Sequence, residues 1–254
     1  MNFVRFQVGT QTAHGILDGD VVQEITAPPY DSYQVTDRTH KLADIKLLAP
    51  IVPGKIVAIG LNYKSHLGNR EAPKVPEAFY KTPTSVIGTE EPIRIPQTAL
   101  QEQVHMQPEA EMVFVIGKQA KNVKQADALS YVLGYTCGND VSARDWQRND
   151  LQWWRAKSSD TFSPMGPVIV TDLDPSKMQL VCRINGKVVQ EQSTGDLVHN
   201  VGAIIEFLSS AITLEPGDAV YTGTPGSPGD IHPGDVVEVE LSGVGVLRNP
   251  IEAE

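Results

Sequence analysis

Two apolar runs that carry carboxylates at their ends most constrain how this chain can fold. The first follows Glu109 and Glu111 as far as Gly117, and the second covers residues 131–137, shortly before Asp140. Each run is typical of a buried strand. Side chains two positions apart in a strand share one face, so Glu109 and Glu111 are predicted to lie side by side. Such a pair repels unless a cation or a proton lies between the two carboxylates.

Asp140 adds a third carboxylate at the end of the second predicted strand. Three convergent carboxylates form a hard, all-oxygen site that suits magnesium, manganese or calcium. The alternative is that Glu109 and Glu111 face solvent and that Asp140 caps a turn. Spacing alone leaves both interpretations open, since a Glu-x-Glu pair is common.

Short strand patterns separated by proline and glycine turns dominate the rest of the chain, and they predict a β-dominated α+β fold. Asp18-Gly19-Asp20 and Asn185-Gly186 indicate hairpins, and Asn200 is placed to cap an amphipathic helix. Residues 31–40 show no strong period and are expected to form a short helix or loop. Proline and glycine at residues 49–54 interrupt regular structure, and we place a domain boundary there. It divides the chain into a small N-terminal β-rich domain, residues 1–52, and a larger domain, residues 53–254.

The charge balance restricts the partners that this chain can bind. It has 21 basic and 31 acidic residues, for a net charge of −10, which argues against nucleic acid or an anionic membrane surface. A small anionic substrate needs only a local positive pocket. Cys137 and Cys182 offer no disulfide framework, and no apolar stretch approaches the roughly 20 residues that span a bilayer. The start of the chain lacks the apolar core of a signal peptide, so we expect a cytoplasmic protein.

Several other polar residues are candidates for substrate binding or proton transfer. Arg144 and Gln147 offer a planar fork and an amide for a carboxylate, and Lys157 could stabilise an anionic oxygen or an enolate. His66 is the candidate acid or base near neutral pH. Thr224, in a glycine-rich loop, could present its hydroxyl to a carboxylate. Taken singly, His66, Arg144 and Lys157 would more often be ordinary surface residues, and Thr224 could equally belong to a simple tight loop.

In this order, the motifs together resemble the fumarylacetoacetate hydrolase superfamily from about residue 53 to the C-terminus. The matching segments are Gly60-Leu61-Asn62-Tyr63-Lys64-Ser65-His66, Glu109-Ala110-Glu111, Asn139-Asp140-Val141-Ser142-Ala143-Arg144-Asp145, Lys157-Ser158-Ser159-Asp160-Thr161-Phe162, Met165-Gly166-Pro167, Asn185-Gly186, Pro216-Gly217-Asp218 and Thr222-Gly223-Thr224-Pro225. The resemblance implies a mixed β-sandwich roll, usually a homodimer. It is much less specific for one reaction.

The resemblance also implies roles for individual residues. Mg²⁺ or Mn²⁺ would be held by the positions that match Glu109, Glu111 and Asp140. Substrate would contact the positions that match the set Arg144, Gln147, Lys157 and Thr224. Superfamily members cleave acylpyruvates, decarboxylate or tautomerise oxaloacetate, or isomerise and decarboxylate hydroxymuconate-type acids. In all of these reactions the metal chelates a 2-oxo acid and stabilises an enolate.

One position departs from the superfamily pattern. In hydrolytic and decarboxylating relatives, a glutamate follows the matching histidine by three residues and helps it to activate water. Here that position is Asn69, and the nearest carboxylate is Glu71. Glu71 could replace the missing glutamate, His66 could act without it, or the reaction could need no activated water.

These considerations predict a divalent-metal enzyme that acts on small anionic 2-oxo acids, with hydrolytic C–C cleavage of an acylpyruvate-like substrate slightly favoured. The alternatives are oxaloacetate decarboxylation or tautomerisation, and isomerisation of a 5-carboxymethyl-2-hydroxymuconate-type acid. A hypothesis of another class is a non-catalytic protein that binds a metal and an organic acid.

Overall fold

A computed structural model describes residues 1–254, which form nineteen strands and four α-helices. The N-terminal strands are β1 (Asn2–Val8), β2 (Gln11–Asp18), β3 (Val21–Ile25), β4 (Val35–Lys41) and β5 (Lys46–Leu48). The middle of the chain forms β6 (Ile56–Gly60), β7 (Glu77–Lys81), β8 (Val86–Ile87), β9 (Ile93–Ile95), α1 (Gln97–Gln101), β10 (Met106–Gln107), β11 (Ala110–Ile116), β12 (Val132–Asn139), β13 (Ser142–Ala143), α2 (Arg144–Asn149), α3 (Trp154–Ser158) and β14 (Ser163–Val170). The remainder forms β15 (Gln179–Ile184), β16 (Lys187–Ser193), α4 (Val201–Ala211), β17 (Ala219–Tyr221), β18 (Val236–Leu241) and β19 (Gly245–Ala253).

Two mixed sheets carry the fold. The larger sheet has twelve strands in the order β4-β3-β2-β1-β14-β12-β11-β17-β6-β7, with β5 paired to β1 and β8 to β14. The smaller sheet has five strands in the order β16-β15-β18-β19-β9. Most neighbours are antiparallel, but β17 pairs with β6, β8 with β14 and β9 with β19 in parallel. The β-dominated α+β fold and the mixed β-sandwich roll are therefore confirmed.

Strand β11 lies at the centre of the structure, and every one of its residues is buried. Met112 and Phe114, on one face, belong to the largest apolar core, together with Val237 of the smaller sheet. Val113 and Val115, on the other face, pack into a second core. Burial on both faces explains why this strand has a continuous apolar sequence instead of an alternating one.

The two hairpins and the helix cap predicted from the sequence are present in the structure. Strands β2 and β3, and likewise β15 and β16, form antiparallel hairpins at the predicted turns. The Asn200 side chain accepts a hydrogen bond from the Ala203 N–H and caps α4. The expectation of a helix or loop over residues 31–40 holds for residues 31–34 but is wrong from Val35 onward, where the chain forms β4. There the ladder to β3 and the contacts of the Glu24 carboxylate with Arg38 and His40 outweigh a weak local pattern.

The N-terminal strands join the larger sheet edge to edge. Strand β1 pairs with β14 through Asn2 opposite Val170 and Phe3 opposite Ile169. Phe3 also packs into the second core beside Ile51 and Met165. The division of the chain near residue 52 therefore falls within one continuous sheet, and its status as a domain boundary remains a prediction.

Candidate functional site

The three predicted carboxylates converge at one end of the larger sheet. Glu109 immediately precedes β11, Glu111 is its second residue, and Asp140 follows β12. The Asp140 N–H donates to the Glu109 carbonyl at 2.9 Å, which places the two strand ends opposite each other. One carboxylate oxygen from each of the three side chains lies within 4.8 Å of the others. All three residues are at least 96% buried, so the alternative of a solvent-facing pair does not hold.

Backbone geometry brings the end of β17 against this cluster. The Gly223 N–H donates to Glu111 Oε2 at 2.6 Å. Gly223 has a φ of +101°, and a Cβ added there would lie 2.7 Å from the Asn62 Cβ. Only glycine adopts this conformation in the available space, which explains the Gly-Thr-Pro-Gly sequence without a phosphate-binding role.

Three cationic side chains contact two of the three carboxylates, those of Glu109 and Asp140. Lys157 Nζ donates to Glu109 Oε2 at 2.5 Å and to Asp140 Oδ2 at 2.7 Å. Arg144 Nη2 lies 2.6 Å from Glu109 Oε1. Lys81 Nζ donates to Asp140 Oδ1 at 2.5 Å and also to the Lys157 carbonyl. Glu109 and Asp140 thus have a cation on each oxygen.

Glu111 is the exception, because no cationic side chain lies within 4 Å of its carboxylate. Burial and the neighbouring Asp140 and Glu109 carboxylates raise the pKa of Glu111 well above its ordinary value. Burial has the same tendency at Glu109, but Lys157, Arg144 and His66 outweigh it and hold the pKa of Glu109 well below its usual range. Glu111 therefore lacks the positive charge that would let it ionise fully.

Lys81 is a functional candidate that the sequence alone did not indicate. Its side chain is fully buried, and desolvation lowers its pKa, although Asp140 opposes this change. At Lys157, the Asp140 and Glu109 carboxylates outweigh desolvation and raise the pKa. The sequence position of Lys81 in β7 could have indicated this contact, because side chains alternate along a strand and Phe79 and Lys81 therefore share one face.

The donor set fits a hard divalent cation. Carboxylate oxygens are the ligands that Mg²⁺ and Mn²⁺ prefer, and three of them converge here on Glu109, Glu111 and Asp140. The charge deficit at Glu111 would be met by a cation in this position. Lys157 and Arg144, which now neutralise the other carboxylates, would then be able to contact an anionic ligand.

Two adjoining cavities with shared lining residues lie between this cluster and the surface. The inner one has a volume of about 30 Å³, and its lining includes the three carboxylates, Lys157 and Thr224. The outer one has a volume of about 810 Å³ and opens to solvent. Leu61, His66, Gln147 and Trp153 line both cavities. The inner chamber matches one ion or water, and the outer chamber is of the size of a small-molecule site.

His66 stands at the junction of the two chambers with a defined orientation. Its Nδ1 contacts the Gly226 carbonyl, and its Nε2 lies 3.7 Å from Glu109 Oε1. A carbonyl oxygen only accepts hydrogen bonds, so the neutral ring carries its hydrogen on Nδ1 and presents an unprotonated Nε2 to the chamber. Glu71 is exposed and lines neither chamber, so the structure does not bring it to His66.

The remaining predicted substrate-binding residues also reach the chambers. Gln147 Oε1 accepts from Arg144 Nη1 at 2.9 Å, which leaves the Gln147 amide to face the cavity. Thr224 Oγ1 donates to the Ala110 carbonyl and accepts from Gln190 Nε2, both at 2.8 Å. The hydroxyl hydrogen of Thr224 is thus already engaged. Gln190, which is also buried, was not indicated by the sequence.

This site defines a class of protein: a strand-dominated fold with a buried acidic centre at the base of a pocket that carries arginine and lysine. The family description "Fumarylacetoacetate (FAA) hydrolase C-terminal" matches residues 55–252, and "Rv2993c-like, N-terminal" matches residues 1–50. The chain therefore belongs to the fumarylacetoacetate hydrolase family.

Individual relatives span several reactions. The mitochondrial oxaloacetate tautomerase of Xenopus laevis is 43% identical over 224 residues, which cover 82% of this chain and 69% of the relative. The structure of 5-carboxymethyl-2-hydroxymuconate delta-isomerase from Mycobacterium smegmatis superposes with a TM-score of 0.93 at 42% identity and covers both chains completely. A maleylpyruvate hydrolase from Sphingobium sp. SYK-6, in complex with manganese(II) and pyruvate, has a TM-score of 0.82 at 26% identity and covers 100% of this chain and 99% of its own.

Family members are thus tautomerases, isomerases and hydrolases, and enzymes of the family use divalent metals. The acidic triad here could hold such an ion. None of the four helices has the length and apolar character required to cross a membrane.

Proposed function

We propose that this protein is a divalent-metal-dependent tautomerase of a small 2-oxo acid of the oxaloacetate type. The observation that carries this proposal is the orientation of His66, whose Nδ1 is held by the Gly226 carbonyl while Nε2 faces the chamber above the acidic centre. An imidazole held in this way can accept a proton at Nε2 and return it to the substrate.

Tautomerisation needs only a proton transfer within the substrate. A C–H bond beside the keto group breaks, an O–H bond forms at the keto oxygen, and no water is consumed. His66 Nε2 takes the proton from carbon and delivers it to oxygen. Mg²⁺ or Mn²⁺ held by Glu109, Glu111 and Asp140 would supply Lewis-acid stabilisation of the enolate charge.

The other cationic residues orient the substrate. Lys157, on α3, contacts Glu109 and Asp140 directly and donates hydrogen bonds to substrate oxygens that gain negative charge. Arg144 offers its guanidinium fork to the substrate carboxylate, and Gln147 fixes the position of that guanidinium. Trp153 packs edge-on against Phe79 with ring centroids 5.3 Å apart, and it covers one side of the inner chamber.

Hydrolysis of an acylpyruvate, which the sequence slightly favoured, is the second candidate. It requires an activated water, and the carboxylate that would assist His66 is absent at Asn69 and not supplied by Glu71 in this conformation. The maleylpyruvate hydrolase relative supports this candidate. The geometry around His66 favours the reaction that does without water.

The test follows the loss of the ultraviolet absorbance of enol oxaloacetate with Mg²⁺ or Mn²⁺ and measures pyruvate release in parallel. We expect metal-dependent acceleration that EDTA abolishes. His66→Gln should lower the rate by about 10²–10⁴-fold, the usual contribution of a positioned acid–base group. His232→Gln, an exposed histidine outside both chambers, is the matched control. Pyruvate as the main product would replace the tautomerase assignment with decarboxylation, and no acceleration with either metal would refute it.

A further inference from the structure

The outer chamber has a basic lining in an acidic protein. The chain as a whole has a net charge of −10. Among the residues that line this chamber, the arginines are Arg70, Arg144 and Arg148, whereas Asp230 is the one carboxylate. A local excess of arginine against the overall charge indicates a site for an anionic group.

Most of these basic side chains already have a carboxylate partner. Arg144 is paired with Glu109 at the inner chamber. Arg148 Nη2 lies 2.5 Å from Asp145 Oδ1, and His105 Nδ1 lies 2.9 Å from the other oxygen of the same carboxylate. These partners leave Arg148 and His105 little free charge to offer a ligand.

Arg70 differs, because its guanidinium makes no hydrogen bond and no ion pair. The loop that carries it is anchored on both sides. Ser65 Oγ donates to Gln192 at 2.5 Å before the arginine, and His199 Nε2 donates to the Pro73 carbonyl at 3.0 Å after it. Arg70 therefore projects from a fixed loop into the chamber mouth with all of its donors available.

The position of the chambers sets which part of a substrate reaches Arg70. A 2-oxo acid bound through its carboxylate and keto end at the inner chamber extends its remaining carbons past His66 and Gln147, which line both cavities. We propose that Arg70 binds a second, distal carboxylate, so that the site selects dicarboxylic over monocarboxylic 2-oxo acids. This inference rests on the proposed function, and it assigns Arg70 as a specificity-determining residue.

Unreactive ligands of equal chain length provide the test. Calorimetry with Mg²⁺ present compares 2-oxoglutarate, which has a distal carboxylate, with 2-oxopentanoate, which lacks it. In the wild type we expect 2-oxoglutarate to bind about tenfold more tightly, as for one charge-assisted hydrogen bond at a partly exposed site. Arg70→Gln should reduce this ratio to near one while changing the 2-oxopentanoate affinity by less than about threefold.

Lys74→Gln is the matched control, because it removes the same charge from the same loop at an exposed residue that does not line the chamber. It should retain the tenfold ratio. Three outcomes would overturn the role of Arg70 and leave the proposed function standing. They are equal binding of the two ligands by the wild type, an unchanged ratio in Arg70→Gln, and a loss of the ratio in Lys74→Gln. Failure of both ligands and of oxalate to bind with Mg²⁺ would overturn the 2-oxo acid function, and the subsite with it.

Discussion

Replacing Lys81 with Met tests whether a hidden cation sustains the acidic centre. The Lys81 side chain has no solvent exposure and that of Asp140 is 2% exposed, with Nζ 2.5 Å from Oδ1. Methionine fills a similar volume but removes the donor to Asp140 and to the Lys157 carbonyl. The cluster would then hold three carboxylates against the two cations Lys157 and Arg144.

The expected loss follows from the burial of this pair. Removing one partner from a buried ion pair lowers the free energy of unfolding by about 3–5 kcal/mol, because the other charge stays desolvated. For a chain near this size, each kcal/mol shifts the melting temperature by about 2–4 °C, which gives a decrease of about 6–20 °C. Lys46→Met is the control, since Lys46 pairs with Glu91 but is 54% exposed. Lys46→Met should lower the free energy of unfolding by at most about 1 kcal/mol.

The assays are urea unfolding and thermal unfolding in EDTA, followed by tryptophan fluorescence and circular dichroism. Repeating Lys81→Met in an Asp140→Asn background isolates the charge interaction, and there we expect a smaller loss because the partner is neutral. A Lys81→Met protein as stable as Lys46→Met, or equal losses in the two backgrounds, would refute the reasoning.

Three further predictions concern proton competition, thiol reactivity and Asn69 in the loop after β6. Because the pKa of Glu111 is raised, a proton competes with metal for this carboxylate. We therefore expect metal affinity to rise with pH and protons to be released on binding, measured by calorimetry in buffers of different ionisation enthalpy; a pH-independent affinity would contradict this. Burial raises the pKa of Cys137 and of Cys182 to about 12, so neither thiol should react with a disulfide reagent at neutral pH until denaturant is added, and a native-state reaction would argue against their burial. Asn69→Glu should increase pyruvate release from acylpyruvates if His66 lacks only a carboxylate partner, with Asn69→Gln as the control, and equal rates in the two variants would exclude this explanation.

Much of the acidic centre was predictable because its three carboxylates lie at the ends of strands with clear sequence patterns. The continuous apolar sequence of β11 marks a strand buried on both faces, and the period of two places Glu109 and Glu111 on one side of it. Asp140 joins them because β12 pairs with β11, a contact between neighbours in sequence order.

Long-range packing accounts for the residues that sequence reasoning missed. Lys81 reaches Asp140 from β7, the edge strand, and a lysine in an alternating segment is usually a solvent-facing residue. Arg70 and Gln190 become relevant only once the loop after β6 and strand β16 lie near the end of β11. Strand β4 was missed because its partner, rather than its own composition, keeps it extended.

The rigidity of β11 also helps to explain how relatives with this architecture can catalyse different reactions. Strand β11 is enclosed by two apolar cores and can shift little. The acidic floor of the pocket, formed by Glu109, Glu111 and Asp140, is therefore held in one position. The exposed residues 68–72, in the loop after β6, form the rim of the outer chamber, where side chains can be exchanged at little cost to stability. Efforts to redirect this enzyme to new substrates should therefore randomise the rim and leave the floor unchanged.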